Sequence, residues 1–90
     1  MNLNEIYTNW RKCILNVDYT GNGERIRGKL ALSGAFISCY WSEDEEWLLF
    51  YSQDAGMPLS VMRCDASGNC YAKTPGGLWI KIGTIAQIGK

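Results

Sequence analysis

Along this chain two spacings of apolar residues follow one another. Up to Val17 they recur every three or four positions, and from Ile26 to Trp41 they alternate with polar ones. The first set is Leu3, Ile6, Tyr7, Trp10, Cys13, Ile14 and Val17. It shares one side of a helical wheel, with Asn4, Glu5, Asn9, Arg11 and Lys12 on the other. Asn2 is placed to cap the first turn, and Glu5 three residues on suits a capping box. This predicts an amphipathic helix over about residues 3–16. Asp18 to Gly23 carries two glycines beside Asn, turn chemistry that reads as a loop.

A turn at Ser33-Gly34 would fold the alternating stretch on itself. Leu32 then pairs with Ala35, Leu30 with Ile37, Gly28 with Cys39 and Ile26 with Trp41, all on one uncharged face. Arg25, Arg27, Lys29, Phe36 and Tyr40 fall on the other. Strands over about 24–32 and 35–41 follow. Ser42 to Glu46 is an acidic connection, and the next strand, about 47–52, is apolar on both faces, as in strands covered twice. With Ser42 as N-cap and Glu45 completing a capping box, Glu43 to Tyr51 reads alternatively as a helix. Further strands are predicted over about 58–64, opened by Pro58, and over about 70–74 and 78–83. Asp65 to Asn69 reads as a hairpin loop with Gly68 left-handed, which sets Cys64 opposite Cys70. The sum is a single α+β domain, residues 1–90. Its N-terminal amphipathic helix packs against a curled antiparallel sheet or small barrel of five to six short strands.

Composition narrows what such a domain does. Nine basic and nine acidic side chains cancel, so no net field draws the chain to nucleic acid or to an anionic membrane. No apolar run reaches spanning length, and the N-terminal residues lack the basic start and apolar core of a signal peptide. A cytoplasmic location with reduced cysteines is therefore expected. There is no histidine, the commonest general base and metal ligand. A zinc site would need all of Cys13, Cys39, Cys64 and Cys70, whose spacing is unlike the paired ligands of a zinc knuckle. A cysteine nucleophile would lack its usual base. Cys64 and Cys70 are expected as free thiols or, alternatively, as a cross-hairpin disulfide. Clustered loop carboxylates stay solvated and ionised, the opposite of a tuned acid–base pair. No enzymatic activity, cofactor or metal is expected.

Two patches of opposite sign remain. Glu43, Asp44, Glu45 and Glu46 lie between Trp41 and Trp47, a constellation suited to docking on the basic surface of a larger protein. Arg25, Arg27, Lys29, Phe36 and Tyr40 form a basic–aromatic face, the chemistry that binds single-stranded RNA or DNA. The first expectation is a small non-enzymatic protein-binding module, an inhibitor or accessory factor that uses the acidic loop. The alternative is a nucleic-acid-binding sheet. In profile, though in no motif, the chain resembles the stand-alone inhibitors of phages and mobile elements, anti-CRISPR and immunity proteins among them. An open sheet edge is also compatible with a homodimer.

Overall fold

The structure is a computed structural model that describes residues 2–52 and 61–88, the last three of them as backbone. The expected strand opening at Pro58 lies outside the described residues. Helix α1 spans Leu3–Asn9, and the Glu5 amide donates to Asn2 Oδ1 at 2.9 Å, the cap the sequence predicts. One 3₁₀ turn, Trp10–Lys12, follows, and the chain then extends into β1, Cys13–Gly21. The helix is thus half the length that its periodicity suggests. Cys13, Leu15, Val17 and Tyr19 also alternate with Ile14, Asn16, Asp18 and Thr20, and this second pattern wins. It buries Cys13 and Leu15 completely while β1 gains a hydrogen-bonded neighbour on each side.

Strand β2, Glu24–Ala31, pairs with β1, not with residues 35–41. The turn between them is Asn22-Gly23, with φ of 52° and 80°. Both central residues are left-handed, as a type I′ hairpin turn demands, and Asn-Gly meets that demand at least cost. Ser33 and Gly34 instead sit in α2, a single helical turn over Leu32–Ala35. It buries Leu32 and delivers Phe36 into the core. Five strands complete the sheet: β3, Ser38–Trp41; β4, Leu48–Tyr51; β5, Val61–Cys64; β6, Asn69–Lys73; and β7, Trp79–Ile88. Residues 42–47 form a loop, so the helical alternative for Glu43 to Tyr51 is not adopted.

Among the described residues the sheet has seven strands, one or two more than expected, in the order β2-β1-β7-β6-β5-β4-β3 with every neighbour antiparallel. It does not close. An odd number of strands leaves the two edges, β2 and β3, running in the same direction, so no antiparallel ladder can join them. Irregularities against β1 at Ile14/Leu15 and against β6 at Cys70/Tyr71 mark bulges that twist the interior strand β7. A Cβ on Gly83 would overlap the Asn16 carbonyl, so β1 approaches β7 this closely only because that position is glycine.

One face of the sheet is covered by α1, the 3₁₀ turn and α2. Leu3, Ile6, Trp10, Leu32 and Phe36 pack there on Leu15, Leu48, Phe50, Met62, Cys64, Cys70 and Ile82. Phe50 sits at the centre, with its ring 5.8 Å from Trp10 and 5.7 Å from Phe36. The radius of gyration, 12.2 Å, is that of one compact domain of this length, about 12 Å. No helix among the described residues is long and apolar enough to cross a membrane.

Candidate protein-binding site

The β3–β4 hairpin is closed by the acidic loop, and the loop is internally braced. The Ser42 amide donates to the Trp47 carbonyl at 3.0 Å, and the Glu45 amide to the Ser42 carbonyl at 3.0 Å. Ser42 Oγ donates to Asp44 Oδ1 at 2.6 Å and accepts from the Trp47 amide at 3.1 Å. Asp44 Oδ1 also accepts from the Glu46 amide at 3.0 Å. The hydroxyl of Ser42, then the Glu46 N–H, holds the Asp44 carboxyl below the usual carboxylate range. Glu45 turns the chain with φ of 60°, a conformation few side chains adopt. All four carboxylates are exposed, and none is ion-paired: among the described residues the only ion pair is Arg25–Asp18. The braced loop therefore presents negative charge that no ion pair compensates, with the Asp44 carboxylate held in place.

Beside it lies the face of the sheet opposite the helices. Leu48 and Phe50 point into the core, so Leu49 and Tyr51 point out, and the pairing continues Leu49–Arg63–Tyr71 across three strands. The Arg63 guanidinium carbon lies 4.1 Å from the Trp47 ring centroid and 4.4 Å from that of Trp79. Trp47 meets Tyr71 edge-on at 5.8 Å. Arg63 Nε is buried and has no hydrogen-bond partner. The cation is thus held by ring faces, which attract it through their quadrupoles. Ser42, Glu43, Asp44, Trp47, Leu49, Arg63 and Trp79 together line a shallow depression of about 410 Å³. Tyr40 and Tyr51, 5.9 Å apart, extend the aromatic surface toward the β3 edge.

This arrangement divides the residues that the sequence singled out. Glu43, Asp44 and Trp47 share the depression, with Glu45 and Glu46 exposed in the same loop. Trp41 does not join them. It faces the other side of the sheet, packed on the core with Tyr7 5.5 Å away. Sequence reasoning did not place Arg63, Tyr71 or Trp79 at this site. The signal was present for the first two, because setting Cys64 opposite Cys70 also sets Arg63 opposite Tyr71. The nucleic-acid constellation is not assembled. Arg25, Arg27 and Lys29 do share one face of β2, but Phe36 is 2% exposed and Tyr40 stands on the opposite edge strand. Arg25 is bound to Asp18 through Nε and Nη2, both at 3.1 Å, which lowers the Asp18 pKa and raises that of Arg25.

Cys64 and Cys70 are cross-strand partners, and all four cysteines are free thiols. Cys64 Sγ donates to the Asp65 carbonyl at 3.4 Å and Cys70 Sγ to the Gly68 carbonyl at 3.6 Å. Desolvation raises the Cys13 thiol and pushes Cys39 up to about 12. Cys70 is raised by the neighbouring Cys64 thiol and then by burial. Cys13, Cys39 and Cys70 are therefore protonated packing groups. Among the described residues no group of three or more His, Cys, Asp or Glu side chains is arranged to hold a metal ion. No family model matches the chain, and neither a curated protein nor a solved structure does.

Proposed function

We propose that this protein is a non-enzymatic binding module that docks on a basic surface of a larger protein, as its inhibitor or accessory factor. The observation that carries this reading is the shared depression, where the acidic loop meets the Trp47–Arg63–Trp79 stack. Trp, Tyr and Arg are the residues in which interface energy concentrates, above all where they are already ordered. The braced loop lowers the ordering cost in the same way, and its carboxylates steer a basic partner to the aromatic face. The same carboxylates repel phosphate, and Arg63 occupies the indole faces on which bases would stack, so a nucleic-acid reading is the weaker one.

A selection of phage-displayed random peptides on the immobilised full chain tests this. The expected peptides carry net positive charge and at least one aromatic residue. They bind at least about tenfold more weakly to a variant with Glu43, Asp44, Glu45 and Glu46 all changed to Lys. Peptides of no charge bias, or ones that bind the reversed loop equally well, would remove this site from the account.

A further inference from the structure

The edge strand β2 is exposed along its whole length, with only Leu30 half-buried. A two-residue hairpin is closed by a pair that exchanges both backbone bonds, here Gly21 and Glu24, and bonded and non-bonded pairs alternate from there. Ile26, Gly28 and Leu30 therefore bond to β1. Arg25, Arg27 and Lys29 aim their N–H and C=O groups away from it, toward the open edge. The side chains of these same three residues share the outer face of β2. Only Arg25 has an ion-pair partner, Asp18. On the inner face, Ile26 is 40% exposed and borders a cavity of about 380 Å³ at the tip of the hairpin. Tyr19, Ala72, Ile80 and Ile82 also line it.

We infer that β2 is a strand-addition site for an extended acidic segment of another protein. The added strand would bond to the free main-chain groups of Arg25, Arg27 and Lys29. Its carboxylates, at every second position, would face those three cations. The apolar residues between them would lie on the inner face beside Ile26 and Gly28, extending the cavity wall. Charge selects this occupant over a second copy. Two β2 strands paired antiparallel about Arg27 would set Arg27 against Arg27 and Arg25 against Lys29, like charges directly opposed. This surface is separate from the acidic-loop depression, so either reading can fail without the other.

The test uses the full chain and a fluorescein-labelled nonapeptide of alternating Glu and Val, followed by fluorescence anisotropy. Two control peptides replace Glu by Lys, or carry N-methyl groups on alternate residues so that one backbone edge is blocked. Binding of the Glu peptide is expected, with both controls weaker by at least about tenfold. Amide exchange should slow at Arg25, Arg27 and Lys29 when the Glu peptide binds. A variant combining Arg25→Glu, Arg27→Glu and Lys29→Glu should prefer the Lys peptide, and that gain also reports that the variant folds. Should it not fold, the N-methylated peptide decides on the unaltered chain. Equal binding of the N-methylated and unmethylated peptides would overturn the proposal. A dimer in sedimentation whose β2 amides are protected without peptide would overturn it as well.

Discussion

Arg63 stands out at the scale of single residues because two indoles surround its guanidinium and its Nε finds no partner. Changing Arg63 to Ala removes both stacks and should lower stability by about 1–3 kcal/mol in chemical denaturation, with altered tryptophan emission. Arg63→Lys keeps the charge but loses the flat surface, so it should recover less than half of that loss. The Cys13 and Cys39 thiols give a second prediction. Their folded pKa values lie above the ordinary value of 9.0, up to about 12 for Cys39. A group raised in the folded state contributes stability that is fully present below its unfolded pKa and is lost as pH rises toward the folded one. Stability should therefore fall from about pH 9 toward pH 12, and urea melts of a Cys39→Ala variant should fall less steeply there. At about pH 8 a thiol reagent should leave Cys13, Cys64 and Cys70 unmodified until the chain unfolds. Strand parity made the outward direction of Arg63 legible in the sequence. Its neighbours were not, because Trp47 and Trp79 reach it from a loop end and from a strand two places away in the sheet.

For the elements, turn chemistry decided what hydrophobic spacing left open. Cys13 and Val17 fit both a helical stripe and an alternating strand, and the stripe from Leu3 onward favoured the helix. Asn22-Gly23 settles the choice, because a type I′ turn there requires a strand on each side of it. Reading Asp18 to Gly23 as a loop hid that strand and moved the hairpin to Ser33-Gly34. Alternation within β2 survived the error, so the faces of Arg25, Arg27 and Lys29 were read correctly while their partners were not. Two glycines test the observed arrangement. Gly23 is left-handed, and Gly23→Ala should cost about 1–2 kcal/mol. Gly34 lies in a helical turn with open space around it, so Gly34→Ala should be neutral or stabilising by up to about 1 kcal/mol. A hairpin turn at Ser33-Gly34 would reverse that order. Gly83→Ala, which drives a methyl group into the Asn16 carbonyl, should cost about 3 kcal/mol or more in thermal or urea melts.

Over the whole molecule, zero net charge conceals a segregated surface. The cations of β2 mark one edge of the open sheet, and the carboxylates of residues 43–46 follow the strand at the other. Composition reveals the sum but not this separation, which arises because β7 inserts between β1 and β6 and leaves β2 and β3 at opposite edges. The fold class, helix on antiparallel sheet, was legible because most strands carry their own alternation. The strand order was not, because it depends on the long-range pairing of β1 with β7. The most direct test of the account maps where a selected basic peptide binds, by amide shifts of the isotope-labelled chain on titration. Shifts are expected to concentrate at residues 42–47 and at Leu49, Arg63, Tyr71 and Trp79. Shifts confined to α1, or to the β2 edge, with residues 42–47 and Arg63 unmoved, would contradict it.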